Sequence, residues 1–167
     1  RSEIYPEYKA NRPPPPEDLV PQFEIIREAT RAFGVEAIEQ KGFEADDIIA
    51  TLSKEANDIG AKVTIFSSDK DLMQLVSKKT SMYDPIKNIN IDIDKVKEKF
   101  GVLPNQVIDV QSLVGDPVDN VPGVPGIGIK TASQLISIFD TVENLIENSD
   151  QIDRPRIRDL ISTNVDN

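Results

Sequence analysis

The chain has 167 residues, 38% of them hydrophobic and 29% charged, a composition that supports a folded core and excludes a disordered tail. It contains neither cysteine nor histidine, which excludes disulfides, thiolate nucleophiles, imidazole bases and zinc sites built on those ligands. With 29 acids against 19 bases and a net charge of −10, any chemistry must rest on carboxylates, lysine, tyrosine or serine, and the metals suited to such oxygen donors are Mg²⁺, Mn²⁺ and Ca²⁺.

In chain order, residues 1–16 read as an extended segment ending in the four prolines Pro13 to Pro16, and the opening resembles the middle of a longer polypeptide. A helix is expected from residue 17 to Gly34, with acids in its first turn and an apolar face formed by Leu19, Phe23, Ile26, Thr30 and Phe33. Residues 35–39 predict a short strand. Residues 44–59 predict a second helix that buries Ile48, Ile49, Leu52, Ala56 and Ile59. The clearest strand is residues 62–66, followed by a short helix through Val76 and two strands at 80–84 and 88–92 that suit a hairpin. The alternation of strand and helix predicts an α/β fold with a mostly parallel sheet flanked by helices, over residues 1–93. From residue 94 the pattern is helical, at 94–100, 104–114, 130–139, 142–148 and 156–162, which predicts an all-helical second unit over 94–167.

Carboxylates concentrate at the ends of these elements. Glu44, Asp46 and Asp47 open the second helix, where Glu44 and Asp47 share a face and Asp46 projects to one side. Taken alone, these three would serve as decoration of the helix dipole. Asp69 and Asp71 follow the strand at 62–66, at the carboxyl end of a parallel sheet, where ligands bind and where an N-cap is the alternative role. Asp116 and Asp119 lie in a loop too rich in glycine and proline to be regular, where Asx turns are the default. Seven carboxylates could share one pocket only with cations between them, because close like charges otherwise force protonation. Two divalent ions roughly 4 Å apart would serve, and would clamp the attacking and leaving oxygens of a phosphodiester. Asn90-Ile-Asp92-Ile-Asp94 imitates the start of a calcium loop, but Lys95 stands where that loop needs glycine.

The run Gly123-Val-Pro-Gly126-Ile-Gly128-Ile-Lys130-Thr131 leads into a helix. Its spacing misses that of a nucleotide-binding P-loop, because Ile129 separates Gly128 from Lys130. It suits a tight hairpin whose backbone N–H groups face a phosphate, with Lys130 and Thr131 adding charge and a hydroxyl, although a simple helix-joining turn would need the same glycines. No membrane-length apolar run or leader is visible, and the expectation is a cytoplasmic protein.

The three acidic motifs together with Val-Pro-Gly-Val-Pro-Gly-Ile-Gly resemble the flap-endonuclease superfamily, and within it the 5′→3′ exonuclease domain of bacterial DNA polymerase I, over essentially the whole chain. The resemblance implies a PIN-like core followed by a helical unit with a helix-hairpin-helix element. It implies that Glu44, Asp46, Asp47, Asp69 and Asp71 lie nearest the metals, with Asp116 and Asp119 across the second metal position. It further implies Mg²⁺ or Mn²⁺, as two ions, and K⁺ at the Gly123–Lys130 hairpin, which would grip duplex phosphates. Tyr8, Lys9 and Arg12 match the basic strip that handles the 5′ end. The implied protein is a monomer that cuts DNA at a 5′ flap, nick or free 5′ end, in the bacterial nucleoid, and can be fused to polymerase domains. The family pattern also opens with a strand carrying a metal-binding Asp, and a second acid follows that strand before the stretch matching Arg1. Neither is present here, so the expectation is an N-terminally truncated member with an incomplete metal shell. Two other readings of the same residues are a non-catalytic duplex- or flap-binding module and an RNA-cleaving metal nuclease; the glycine hairpin, which suits duplex backbone, speaks against the latter.

Overall fold

The computed structural model describes residue 1 and residues 3–165, and the structural statements below refer to these. Three strands, β1 (Val63–Phe66), β2 (Thr80–Asp84) and β3 (Ile89–Ile91), form one small mixed sheet in the order β1-β2-β3. β1 and β2 run parallel, with Val63 opposite Thr80 and Phe66 opposite Tyr83. β2 and β3 form the expected hairpin, antiparallel, with Met82 opposite Ile91. The period-two alternation of β2 turns Thr80, Met82 and Asp84 inward, and all three are buried. Asp84 closes the hairpin turn: its Oδ1 accepts the N–H groups of Ile86 (3.0 Å) and Lys87 (3.1 Å), so the buried carboxylate is satisfied by backbone donors.

Helices precede and follow the sheet. α1 (Gln22–Ala32) and α2 (Ala45–Asp58) come before it, and α3 (Ile93–Phe100), α4 (Val107–Val114), α5 (Ile129–Phe139), α6 (Val142–Glu147) and α7 (Pro155–Thr163) come after. Local chemistry sets several of these starts. Asp92 caps α3 by accepting the Lys95 N–H, which is what the calcium-like motif does instead of binding calcium. Thr141 caps α6 by accepting from Asn144, and Pro155 occupies the first turn of α7. A single hydrophobic core runs from Ile65 and Met82 of the sheet through Val96, Val107, Val110, Ile136 and Leu145 of the helices to Ile161.

Several expectations fail, the first being the extended reading of residues 1–16, where the chain instead turns between Tyr5 and Arg12, with Tyr8 N–H donating to Tyr5 O and Arg12 N–H to Lys9 O, both at 3.0 Å. Residues 35–39 form no strand, and Val35 and Ile38 are exposed; a strand needs a neighbour to bond with, and none of the described residues supplies one. The apolar face of α1 exists but is not buried: Phe23 is 42% and Phe33 87% exposed. Amphipathicity shows which side of a helix is apolar, not what covers it. On α2 the buried stripe is rotated from the expected one. Ser53 is buried, Ile49 packs against the core, and Leu52 and Ile59 are exposed. Asn57 explains the rotation, since its Nδ2 donates to Thr80 Oγ1 at 2.8 Å and faces this side of the helix to the sheet.

Candidate active site

The acid-bearing segments meet in one cavity of about 700 Å³. Its walls include all seven carboxylates named from the sequence, Glu44, Asp46, Asp47, Asp69, Asp71, Asp116 and Asp119, together with Tyr8, Lys9 and Arg12. Glu44 is the N-cap of α2 and forms a capping box with Asp47, so the helix-end role weighed above is real for these two and fixes both side chains at the rim. Asp69 and Asp71 leave the C-terminal end of β1 in an Asx turn, the Asp69 Oδ1 accepting the Asp71 N–H at 3.0 Å. Asp116 and Asp119 occupy a tight loop closed by reciprocal backbone bonds between Asp116 and Val121.

The seven acids divide by partner. Arg1 grips Asp47 with two hydrogen bonds, 2.8 and 2.9 Å, and holds its carboxyl down to a pKa of about 2, with help from the Glu44 N–H. Lys9 Nζ contacts both oxygens of Glu44, at 2.9 and 2.8 Å, and Tyr8 donates to the same carboxylate. Burial works against the charge of Glu44, but Lys9 outweighs it and lowers the pKa. Arg12 pairs with Asp119, and Lys70 pairs with Asp116 at 2.7 Å; burial opposes the charge of Asp116 as well, and the Lys70 bond wins. Asp46, Asp69 and Asp71 have no ion pair among the described residues. Burial pushes the Asp46 carboxyl up, and the charges of Asp69 and Asp71 push it further. Burial also raises Asp71, against a hydrogen bond donated by Gln111 Nε2 of α4.

These directions fix a pH dependence. Asp46 and Asp71 bind protons more tightly in the folded chain than unfolded, so their charges destabilise it at neutral pH, and stability rises as pH falls through their raised pKa values. Glu44, Asp47 and Asp116 act oppositely: their contribution is complete above the unfolded carboxyl range and is lost as pH falls through their lowered values, Asp47 last at about 2. Urea midpoints in chelator are therefore expected to rise as pH falls from neutral through the titration of Asp46 and Asp71, and to fall again as Glu44, Asp116 and finally Asp47 take up protons. Substituting Asn at Asp46 and Asp71 should flatten the neutral side of that curve. A pair of Asn variants with an unchanged curve would contradict the assignment.

Sequence reasoning missed three groups. Lys70 stood in plain view between Asp69 and Asp71, where its reach to Asp116 depends on the tertiary fold. Gln111 and Arg1 gave no signal, because their partners are distant along the chain.

The glycine hairpin lies outside this cavity. Val124 and Ile127 anchor it in the core, Gly126 turns it at φ 85°, and Gly128 begins α5 with no side-chain cap. Lys130 is exposed and Thr131 half-buried at the first turn of that helix. Gly123 has a packing reason to be glycine, since a Cβ there would lie 2.3 Å from the Gly115 nitrogen.

Comparison with known proteins finds two family models end to end. Residues 1–101 match a "5′-3′ exonuclease, N-terminal resolvase-like domain", and residues 102–167 match a "5′-3′ exonuclease, C-terminal SAM fold". The chain is 54% identical over 166 residues to a DNA polymerase I of Rhizobium leguminosarum, covering 99% of this chain and 16% of that protein. It is 41% identical over 154 residues to a 5′-3′ exonuclease of Aquifex aeolicus, covering 92% of this chain and 53% of that protein. Its fold matches the bacteriophage T5 D15 flap endonuclease, solved as a complex with DNA and metal ions, with a TM-score of 0.76 at 25% identity over 96% of this chain and 65% of that one. The chain thus spans a minor part of the polymerase it resembles.

Proposed function

Because the chain belongs to the 5′-3′ exonuclease family, we propose that it hydrolyses phosphodiester bonds at DNA 5′ ends, nicks or flaps with the help of divalent metal ions, as the nuclease part of a DNA polymerase I that removes RNA primers and translates nicks. One observation carries this reading: seven carboxylates share a cavity with Tyr8, Lys9 and Arg12, and three of the seven have no ion pair among the described residues.

The donor chemistry fits a hard divalent cation such as Mg²⁺ or Mn²⁺. Asp46, Asp69 and Asp71 offer oxygen ligands, and the burial and mutual repulsion that raise Asp46 would be relieved by a bound cation. Among the described residues, however, no three acids converge closely enough to form a ready cage. We assign Asp46, Asp69 and Asp71 as the first ligands, and Glu44, Asp47, Asp116 and Asp119 as reserves that would complete a two-ion set. The chemistry such ions supply when bound is polarisation of the phosphodiester and acidification of water. The chain's own residues do the rest. Lys9 and Arg12 hold the phosphate of the 5′ end, Lys70 keeps Asp116 ionised and turned toward the cavity, and Gln111 fixes the orientation of Asp71. The hairpin of Gly123, Gly126 and Gly128, with Lys130 and Thr131, grips the duplex backbone, with K⁺ as its candidate ion.

The test is cleavage of labelled 5′-flap DNA, nicked DNA and an RNA hairpin, by the chain alone and by the chain grafted in place of its counterpart in the Rhizobium polymerase. Cutting of the two DNA substrates in Mg²⁺ and none in chelator is expected. Salt-sensitive DNA binding without metal-dependent turnover in both forms would leave a binding module instead, and preferential cutting of RNA would overturn the substrate assignment.

A further inference from the structure

We propose that Glu44 and Asp119 stand in for substrate phosphate on Lys9 and Arg12, so that a phosphate arriving at these two cations releases both carboxylates to the cavity and raises its affinity for divalent cations. The inference rests on the proposed function and adds an order of events to it.

The argument begins with what holds the basic segment in place. Its backbone is tied to the acidic loop without using any charge: Lys9 N–H donates to Asp119 O at 2.8 Å, Asn11 Nδ2 to Pro117 O at 2.9 Å, and Asn120 Nδ2 to Glu7 O at 2.8 Å. The ion pairs are a second, separable layer. Lys9 Nζ sits on both Glu44 oxygens and 3.7 Å from Asp119 Oδ2, and Arg12 lies on Asp119 Oδ1. An ammonium or guanidinium donates to the oxygens of a phosphodiester as it does to those of a carboxylate, and the two anions carry the same unit charge. The exchange needs no backbone movement, and both pairs are part-exposed, with Lys9 25%, Glu44 35%, Arg12 48% and Asp119 13% open to solvent.

The exchange changes the charge of the cavity. Before it, Glu44 and Asp119 are neutralised and only Asp46, Asp69 and Asp71 lack cations among the described residues; after it, Glu44 and Asp119 join them. The other cation near Glu44, Arg1, is 4.0 Å away and committed to Asp47, so it does not replace Lys9. By linkage, phosphate that binds better once these pairs open must tighten cations that also bind better once they open.

The test is Mn²⁺ titration by calorimetry on the whole chain, with neutral variants of similar shape, Lys9→Met and Lys9→Met/Arg12→Gln. Without DNA, the double variant is expected to bind Mn²⁺ about fivefold tighter or more than the parent, and Lys9→Met alone to move the same way. A 5′-phosphorylated tetranucleotide with phosphorothioate linkages should tighten Mn²⁺ on the parent chain. The gain from Lys9→Met should lose most of its size in a Glu44→Gln background, because the carboxylate that Lys9 holds by both oxygens is gone and Asp119 stays on Arg12. A gain that persists in Glu44→Gln, or no gain at all while the parent binds Mn²⁺ normally, overturns the exchange and leaves the nuclease reading intact. Absence of Mn²⁺ binding by the parent removes the exchange, and the nuclease reading is then decided on the grafted form.

Discussion

Asp71→Asn is expected to lower metal-dependent DNA cleavage by at least about 100-fold while raising the melting temperature in chelator by about 2–5 °C. The two effects have one cause. Asp71 follows β1 at the cavity wall, where burial and the charges of Asp69 and Asp116 raise its pKa, and the Gln111 hydrogen bond does not cancel them. A carboxylate so placed destabilises the metal-free chain at neutral pH, and an amide of the same shape removes that penalty while still accepting from Gln111. The same amide is a poor ligand for a hard cation, so activity falls as stability rises. Asp46→Asn should behave alike, since burial and the charges of Asp69 and Asp71 act on it. Glu44→Gln and Asp116→Asn should not, because Lys9 and Lys70 make those charges stabilising. Thermal melts in chelator, set beside cleavage rates in Mg²⁺, separate the two classes. A lower melting temperature for both Asp71→Asn and Asp46→Asn would mean that these acids are structural, and undiminished cleavage would remove them from the site.

That division into paired and unpaired acids marks the limit of what the sequence discloses. β1 and β2 were legible because their β-branched and alternating residues speak for themselves, and the acids were legible because each cluster sits at the end of an element that periodicity locates. Their convergence was implied by the family resemblance, since like charges by themselves would keep the clusters apart unless cations lay between them. Their partners were not: the reach of Lys70 to Asp116, of Gln111 to Asp71 and of Arg1 to Asp47 spans about 40 residues or more in each case, and nothing local selects those pairs. The strand expected at 35–39 failed for the same reason in reverse, since Val35 and Ile38 carry strand propensity without a strand beside them. On α2, periodicity favoured Leu52 and Ile59, while the sheet side is set by Ser53 and by the bond of Asn57 to Thr80.

Gly123→Ala should destabilise the chain by about 3 kcal/mol or more and abolish cleavage with it. A methyl at this position would lie 2.3 Å from both the Gly115 nitrogen and the Val114 carbonyl carbon, and 2.5 Å from the Val114 oxygen. These neighbours are backbone, so no side-chain rotation relieves the overlap, and Gly115 itself sits at φ 73°, where a residue with a Cβ would be strained. The crossing is the neck of the acidic loop. The paired bonds between Asp116 and Val121, 2.9 and 2.8 Å, and the Val124 N–H to Leu113 O bond at 2.8 Å all depend on it. Prising it open moves Asp116 and Asp119 off the cavity and withdraws the Lys9 N–H bond to Asp119, so loop, basic segment and acids shift together. Gly128→Ala is the contrast. A Cβ there meets nothing within 4 Å and its φ of −100° suits any residue, so the cost is only that of alanine for glycine at an N-cap, about 1 kcal/mol or less. If the open surface over Gly128 receives a DNA phosphate, that variant should nevertheless bind duplex more weakly. Urea unfolding and duplex titration of the two variants thus separate glycine kept for packing from glycine kept for ligand approach. A Gly123→Ala chain that unfolds at the wild-type midpoint would show that the loop does not close through this contact, and the positions of Asp116 and Asp119 would then need another cause.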